Sequence, residues 1–573
     1  MRRYIKIILA VVLSVQFTAC KEEFLEFVPQ DQATVDGWYR NATEIRQGTA
    51  ALYGRPWFQF NDVLSWCVGD LMAGDMFHNW DQEGQFFYAS FNENNVHIGN
   101  GWQSLYDVVS FANLIIDDMP VIASGNEVSE TAINAGLGEA RFFRGVAYYY
   151  LAEYWGNVPI IERPAEKVAN NDLFLPKNTV SSVYEFIRRD FVFAAEHLPA
   201  SDADGRVTEW AAKGMLAKLH VTMAQRSVGG GSIGSTEDFT IAAAYAADVI
   251  NNSGRSLYPN YENMFRVENE QNDEVLFALQ WINSGWGFGN SRQARFARNS
   301  IVTRDPQAWG AFKSVSQDFI NTLVANAEGA VDQRRRAIYM QSGDFYDYLN
   351  VPEGGYTYNI VSRDADGVQT ESQAPTLTSL KKHVVGNVDD HGFVVSNQDS
   401  PLDLYMLRLA DVYLIYAEAL MGSASSLSAG PGYEAYLAVR SRAGLAAPAD
   451  GEMSFRDLFN ERRIELGLEA QSWLDIKRQY YRDAQGTLDL LNGQGRSSQY
   501  LRINPNDTRE NDPDGYELVL AGQTGVINPA SVNTEPEVTI TADKMWLPIP
   551  GAETVTNPLL RPEAEAVDYV FEN

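Results

Sequence analysis

Two short segments of the sequence combine aromatic rings with polar side chains that end in flat groups. Residues 70–81 read DLMAGDMFHNWD, and residues 281–292 read WINSGWGFGNSR. An aromatic ring can stack on the apolar C–H face of a sugar, while carboxylate, amide and guanidinium groups bond the hydroxyls around its rim. We therefore predict ligand contacts from eight residues, by stacking from Phe77, Trp80, Trp286 and Phe288 and by hydrogen bonding from Asp75, Asn79, Asn290 and Arg292.

The alternative for any tryptophan is a place in the hydrophobic core. We expect that place for Trp155, Trp210 and Trp473, which lie within or at the ends of predicted helices. Trp80 and Trp286 are instead flanked by Gly and Asn in predicted loops. Loops carry binding residues more often than regular elements do, so these two tryptophans are the stronger candidates.

A charged segment in the last quarter of the chain contains carboxylates that could be either catalytic or structural. Glu461, Glu465 and Glu469 are spaced four residues apart, so a helix would place them on one face. A glycoside hydrolase needs two carboxyl groups that face each other across the substrate, roughly 5 to 10 Å apart. Arginines interleaved on the same helix favour a structural network of ion pairs instead, and a similar structural pair is expected between Arg408 and Glu418.

No known catalytic motif is present in the sequence. It contains no Ser-His-Asp order, Gly-x-Ser-x-Gly elbow, Walker loop or His-Glu-x-x-His helix. We predict no catalytic residues and no enzyme activity, and a secreted glycoside hydrolase is the less favoured alternative.

No metal site or cofactor is predicted. The six histidines are scattered, and Cys20 and Cys67 are too few for a cysteine-based zinc site. The Asp- and Asn-rich stretch Asn504–Asp514 is a conceivable calcium loop, but it lacks the spacing of an EF-hand.

The first twenty residues have the form of an export signal. Basic residues at positions 2, 3 and 6 accompany an apolar run over residues 5–15, which is too short to span a bilayer. A cysteine then follows directly after the small residue Ala19, as in a bacterial lipobox. We predict a signal peptide over residues 1–19 and a lipid on Cys20 that anchors the protein to a membrane. The alternative is an ordinary signal peptide with a chance cysteine.

Composition limits the partners of this chain. Its 573 residues carry a formal net charge of −30 at pH 7, which repels phosphate backbones, so nucleic acid is not expected as a partner. With 45% hydrophobic residues the chain can build a large core. We expect no stretch after residue 20 to reach the length of a transmembrane helix.

Apolar residues recur with helical periodicity in two parts of the chain. The pattern predicts helices over residues 100–118, 135–154, 182–197, 208–226, 238–251, 404–421, 433–443 and 455–481. Consecutive helices are joined by short loops, which is typical of helical solenoids such as tetratricopeptide repeats, although no clean repeat at the usual period is present. The predicted fold class is therefore mostly α-helical, with paired helices as a scaffold.

The predicted organisation is a single domain over residues 20–573. The helical scaffold occupies mainly residues 40–260 and 401–481. A loop-rich part, which we expect to bind the ligand, occupies mainly residues 55–99 and 281–400, and residues 482–573 form an irregular C-terminal part.

Five segments of the chain resemble the hallmarks of the SusD/RagB family and occur in the family's order. They are Glu139–Pro159, Leu407–Leu420, Val439–Leu445, Glu461–Arg478 and Trp546–Pro558. Each segment alone is weak, but five in order after a lipobox are a specific signature. The chain departs from the family pattern only after Pro558, where the common Gln-Asn-Pro-Gly ending is missing.

The resemblance implies both a fold and a function. Family members are outer-membrane lipoproteins of Bacteroidota-type bacteria that bind nutrient glycans, or sometimes peptides, above a SusC-like TonB-dependent transporter. Their fold packs four tetratricopeptide-like helix pairs against a more irregular part that carries the ligand. Lys21-Glu22-Glu23 is similar to the signal that directs such lipoproteins to the outer face of the outer membrane.

We therefore expect a non-catalytic protein that captures oligo- or polysaccharide outside the cell and delivers it to such a transporter. A peptide-binding helical-repeat module of the same uptake type is the alternative. These two alternatives differ in salt dependence, because stacking on a neutral sugar responds little to ionic strength.

Overall fold

A computed structural model describes residues 37–496 and 538–571, apart from residues 204, 312, 342, 359–361, 364–368, 371–377, 393–394 and 396–397. The predicted signal peptide, Cys20 and the stretch Asn504–Asp514 lie outside the described residues. The described chain is mostly helical with short two-stranded ladders, which confirms the predicted fold class.

The helices and strands are numbered in chain order. The helices are α1 Ala42–Ala50, α2 Asp81–Phe87, α3 Val96–Gly125, α4 Glu130–Trp155, α5 Pro164–Ala169, α6 Val180–His197, α7 Glu209–Val228, α8 Glu237–Asn252, α9 Arg292–Phe296, α10 Ser300–Thr303, α11 Gln317–Asn326, α12 Arg335–Ile338, α13 Val388–His391, α14 Leu409–Met421, α15 Pro431–Arg442, α16 Phe455–Glu465, α17 Ser472–Arg482, α18 Ala484–Asn492 and α19 Gly551–Thr556. The strands are β1 Met76–Phe77, β2 Val275–Leu279, β3 Ser314–Val315, β4 Tyr339–Gln341, β5 Phe345–Tyr346, β6 Tyr356–Thr357, β7 Ser362–Arg363, β8 Gln369–Thr370, β9 Thr378–Leu380, β10 Leu404–Arg408, β11 Ser426–Leu427 and β12 Met453–Ser454.

The long helices form a continuous scaffold of packed neighbours. Helix α3 packs on α4, α4 on α6, α6 on α7 and α7 on α8, while α14 packs on both α8 and α15. Side chains at the helix starts accept hydrogen bonds from amides that have no partner within the helix. Asn95 Oδ1 accepts from His97 N at 3.0 Å before α3, and Thr179 Oγ1 accepts from Ser182 N at 3.3 Å before α6.

Helix α3 is long and apolar enough to cross a membrane by length and composition, contrary to the expectation for residues after 20. Its inner face is buried in the scaffold, where Leu105, Val108 and Ala112 contribute to the hydrophobic core. Core packing therefore accounts for much of its apolar character.

Two predicted helices differ from the structure. Residues 404–408 form the strand β10, which pairs antiparallel with β2, and the helix begins only at Leu409. The segment predicted as one helix over residues 455–481 is divided into α16 and α17. Leu468 and Ala470 in the break have φ of +63° and +61°, which no α-helix allows. Lys382 Nζ donates to Gly467 O at 2.5 Å, so a buried lysine bonds a carbonyl in the break.

Short strand pairs tie the loop-rich part to itself and to the scaffold. Strand β1 pairs antiparallel with β3, with Met76 opposite Val315. In the pair of β2 with β10, Leu279 lies opposite Leu404. The first pair brings the segment after residue 77 beside the segment before residue 314, and the second fixes the start of the segment after residue 279. Both predicted ligand segments are therefore positioned by these strands.

Candidate functional site

Three tryptophans are exposed on the described part of the chain. The exposed fraction is 62% for Trp80, 51% for Trp286 and 44% for Trp309. The tryptophans predicted for the core are buried, namely Trp155, Trp210 and Trp473. Exposing a large apolar ring forgoes the free energy gained by burying it, so these three positions are the first candidates for ligand contact.

Trp286 lies in a closed loop over residues 282–288. A backbone hydrogen bond of 3.0 Å joins the two ends of the loop. Gly285 and Gly287 have φ of +98° and +91°, a region in which a side chain is strained, so glycine permits the tight turn. Gly285 N also donates to Asp399 Oδ2 at 2.6 Å. The loop is thus fixed at its base and its turn while the Trp286 ring remains in solvent.

The loop borders an open cleft with a volume of about 540 Å³. The aromatic residues that line it are Tyr53, Phe58, Phe111, Trp286 and Phe288, and the polar ones are Arg55, Gln59, Asp107 and Gln280. The centres of the Trp286 and Phe58 rings are 4.7 Å apart, edge to face. The Arg55 guanidinium lies 4.5 Å from the centre of the Phe288 ring. Aromatic faces and flat polar groups therefore occur together here.

Arg295 contacts both the helix that follows Trp80 and the ring of Trp309. Trp80 immediately precedes α2, and Glu83 in that helix is 3.5 Å from Arg295. The Arg295 guanidinium lies 5.2 Å from the centre of the Trp309 ring. Trp309 N also donates to Ala294 O at 2.7 Å. The two tryptophans therefore belong to the same neighbourhood of the surface.

The charges beneath these tryptophans neutralise one another. His78 Nε2 lies 2.9 Å and Lys313 Nζ lies 3.2 Å from Glu83 Oε2. Burial opposes ionisation of Glu83, but the hydrogen bond from His78 and the charge of Lys313 lower the pKa of this carboxyl below its usual range. Burial also lowers the pKa of His78. The cluster supports the surface from inside and does not present a free acid or base.

Four of the eight predicted ligand residues are buried, and the prediction is wrong for them: Phe77, Asp75, Asn290 and Arg292. Phe77 packs edge-on against Phe87 with ring centres 5.4 Å apart. Asn290 Nδ2 donates to Leu402 O at 3.0 Å, so its amide secures the chain before β10.

Asp75 and Arg292 are held by internal partners. Asp75 accepts from Arg463 Nε at 2.6 Å and from Ser472 Oγ at 2.5 Å. Burial raises the pKa of Asp75, against the opposing charge of Arg463. Arg292 Nη2 donates to Ser65 Oγ at 2.8 Å, and burial lowers the pKa of its guanidinium. Both side chains stabilise the fold and have no access to a ligand at the surface.

The other four predicted residues lie at the surface. Trp80, Trp286 and Phe288 are exposed, and Asn79 is half-buried with its Nδ2 3.4 Å from Tyr88 Oη. Their contact with a ligand stays a prediction.

Four aromatic residues of this surface and its cleft were not among the predicted ligand residues: Tyr53, Phe58, Phe111 and Trp309. Trp309-Gly310 repeats the Trp-Gly pair of the loop around Trp286, but the buried Trp155 is also followed by glycine, so this pair does not identify an exposed tryptophan. Phe111 carried no sequence signal, because it lies in the middle of an apolar helix whose exposed face is evident only in the structure.

The carboxylates of α16 and the turn after it form a buried network with arginines, which confirms their structural role. Their arginine partners come from other segments of the chain and not, as expected, from the same helix. Glu461 is 2.5 Å from Arg334, and Glu465 is 3.1 Å from the same arginine and 2.9 Å from Arg408. Glu469 is 2.7 Å from Arg408. These acids are bound to arginines and none faces a second carboxylate across a cleft, which is the arrangement that glycoside hydrolysis requires.

The expected pair of Arg408 with Glu418 is wrong. Arg408 bonds Glu274, Glu465 and Glu469, while Glu418 lies 3.0 Å from Arg478. Among the described residues no group of three His, Cys, Asp or Glu side chains is placed to hold a metal ion.

Family models match both halves of the chain. Residues 241–562 match the model described as the SusD family, and residues 30–221 match the model described as starch-binding associating with outer membrane. A SusD-like protein of Bacteroides ovatus is 32% identical over 573 residues, with 99% of this chain and 98% of that protein covered. The chain belongs to the SusD family.

Solved structures resemble this one in fold. One that contains a xylogluco-oligosaccharide is 29% identical, covers 92% of this chain and 100% of that chain, and superposes with a TM-score of 0.77. A laminarin-binding SusD-like protein is 21% identical, covers 90% of this chain and 98% of that chain, and has a TM-score of 0.62. The second of these likenesses concerns the fold alone.

Proposed function

We propose that this SusD-family protein is a non-catalytic binding protein that captures oligo- or polysaccharide at the cell surface and delivers it to a SusC-like TonB-dependent transporter. The observation that carries the proposal is the exposure of Trp80, Trp286 and Trp309 in a chain that buries its helical tryptophans. Flat rings held on fixed loops are suited to stacking on sugar faces. The similar structure with a bound xylogluco-oligosaccharide supports a glycan ligand of this class.

The burial and pairing of the carboxylates support binding without catalysis. Glu461, Glu465 and Glu469 are buried among arginines, where they cannot reach a glycosidic bond. A glycoside hydrolase would need an acid and a second carboxylate on opposite sides of the bound sugar. The cleft beside Trp286 is lined by one carboxylate, Asp107.

A glycan panel tests the proposal. The purified protein is titrated calorimetrically with neutral and charged oligosaccharides, including a xylogluco-oligosaccharide, and the mixtures are then analysed for shortened products by chromatography. We expect binding to at least one neutral glycan at both low and high salt, with no product formed. Release of shortened products would contradict the proposal, and affinity for peptides that falls with salt would favour the peptide-binding alternative.

Anchoring and delivery are tested in cells. We expect the mature chain to carry lipid on Cys20, to be accessible to protease at the cell surface, and to co-purify with a large outer-membrane transporter. Substitution Cys20→Ala should remove the lipid and release the protein from the membrane fraction. A Cys20→Ala protein that stays in the membrane fraction and still carries lipid would contradict the anchor.

A further inference from the structure

The cleft beside the loop over residues 282–288 contains two charged groups that the fold itself does not use. The Arg55 guanidinium lies against the face of the Phe288 ring, and within the part of the chain that the structure describes it has no hydrogen bond or ion pair. The same holds for the carboxylate of Asp107, which lines the cleft from α3. Both side chains are exposed to solvent at the edge of the cleft, and partial burial raises the pKa of Asp107.

This combination limits the chemistry of an occupant. A purely apolar group would desolvate Arg55 and Asp107 without offering either of them a hydrogen-bond partner, which is costly. A charged sugar acid would meet one favourable and one unfavourable charge. A neutral sugar ring suits both groups, because its hydroxyls can donate to the carboxylate and accept from the guanidinium. Gln59 on the lining adds a donor and an acceptor of the same kind, while the Gln280 amide already donates to Gly205 O.

The aromatic rings of the cleft suit the other surface of a sugar. Phe58, Phe111 and Phe288 line the cleft, and the volume of about 540 Å³ lies in the usual range of small-molecule sites, roughly 300 to 1,000 Å³. Trp286 lines the cleft and is also half-exposed to solvent. It therefore lies at the border between the cleft and the solvent-exposed surface.

We propose that this cleft is a separate subsite for a neutral sugar branch, so that the protein selects branched over linear glycans. The main chain of the glycan contacts the exposed tryptophans, and one branch residue enters the cleft between Phe111 and the loop of Trp286. Asp107 and Arg55 bond the hydroxyls of that branch. This inference rests on the proposed glycan-binding function and specifies the substrate class that it selects.

Helix α3 offers a matched pair of variants for the test. Phe111 lines the cleft with 47% of its surface exposed, while Leu114, one turn further along the same helix, is 50% exposed and lies outside the cleft lining. Substitutions Phe111→Ser and Leu114→Ser should both leave folding intact, because each side chain is already half in solvent. The probes are a xylogluco-oligosaccharide, which is branched, and a cello-oligosaccharide with the same backbone length, which is linear.

We expect Phe111→Ser to weaken binding of the branched probe about five- to tenfold, as for loss of one stacking contact, and to leave the affinity for the linear probe unchanged. Asp107→Asn should likewise weaken binding of the branched probe and leave the affinity for the linear probe unchanged, since a neutral amide is a weaker acceptor for sugar hydroxyls. Leu114→Ser should change neither affinity.

Two outcomes would overturn the inference, and they differ from failure of the proposed function. If Phe111→Ser and Asp107→Asn leave the ratio of the two affinities at its wild-type value, the cleft does not take the branch, although the protein still binds glycans. If only an apolar aryl glycoside responds to Phe111→Ser, the cleft takes an apolar group and not a sugar. Failure of the proposed function has another signature, in which the wild-type protein binds neither probe nor any other glycan.

Discussion

The region around Glu465 and the region around Trp286 both combine arginine, carboxylate and aromatic side chains, but they differ in how these groups are partnered. Around Glu465 each charge meets an opposite charge, and all are removed from water. Around Trp286 the rings of Trp286 and Phe288 are exposed, and the charges of Arg55 and Asp107 face solvent without a partner in the described chain. Residue types alone therefore do not distinguish a structural site from a binding site. The hydrogen-bond and ion-pair partners of the side chains, and their exposure to solvent, do distinguish the two.

The largest effect is expected when one member of the buried network is removed. Arg408→Met leaves Glu274, Glu465 and Glu469 without their shared cation in a site closed to water. Loss of one partner of a buried ion pair costs about 3–5 kcal/mol, so we expect the free energy of unfolding to fall by at least that amount. Urea denaturation followed by circular dichroism measures it. The control is Arg188→Met, whose ion pair with Glu185 is at the surface and should contribute less than about 1 kcal/mol. Equal losses in the two variants would contradict the contrast.

A smaller effect on stability, with none on binding, is expected at Arg292. The sequence pattern assigned this residue to the ligand, but the structure buries it against Ser65. Arg292→Met should lower the free energy of unfolding by about 1–3 kcal/mol, through the loss of buried hydrogen bonds. Calorimetry on the folded variant should return the wild-type affinity for a glycan. A stable variant with impaired binding would return Arg292 to the binding site.

The converse result is expected at Trp309. Trp309→Ala should weaken glycan affinity about tenfold, as expected for a stacking residue, while the melting temperature changes little because the ring is already half-exposed. The matched control is Phe174→Ala, since Phe174 is also exposed but lies in a distant part of the sequence, close to α5. Weaker binding in the control as well would show that the loss is not specific to this surface.

The weakest effect is expected from a carboxyl pair under the loop of Trp286. Asp403 N donates to Glu270 Oε2 at 3.1 Å, and Asp403 Oδ1 accepts from Trp281 N at 3.0 Å. Burial raises the pKa of Glu270 to about 7, and burial together with the charge of Glu270 raises that of Asp403. The folded protein then binds more protons than the unfolded one, so stability falls as pH rises from about 4.5 to 7.

Removing one of these acids should abolish that loss. Glu270→Gln should be more stable than wild type at pH 8 and equal to it near pH 4. Thermal melts across this pH range measure the difference. A stability difference that is constant with pH would mean that the pair does not hold an extra proton in the folded state.

The sequence predicted the parts of this protein that depend on periodic burial. The long helices and the ion-pair role of Glu461, Glu465 and Glu469 are confirmed, although Glu469 lies in the turn after α16 and the arginine partners come from other segments. The prediction from sequence was wrong where one element ends and the next begins. Strand β10 reads as the start of a helix because both of its faces are buried, and periodicity cannot separate a short buried strand from a helix.

The candidate surface was only half predictable. The segments over residues 70–81 and 281–292 each contain both inward and outward side chains, which their residue types do not separate. Asp75 accepts a hydrogen bond from Arg463, nearly four hundred residues away in sequence, and no local sequence pattern predicts such a contact. Trp80 and Trp286 were separable from their neighbours only by the Gly and Asn that flank them.

Calorimetric titration of a xylogluco-oligosaccharide into the wild-type protein and the triple variant Trp80→Ala/Trp286→Ala/Trp309→Ala tests the central claim most directly. Our account predicts a measurable affinity for the wild type, and no detectable binding to a triple variant that melts within a few degrees of it. A triple variant that binds the oligosaccharide with wild-type affinity would contradict the claim that the exposed tryptophans hold the glycan.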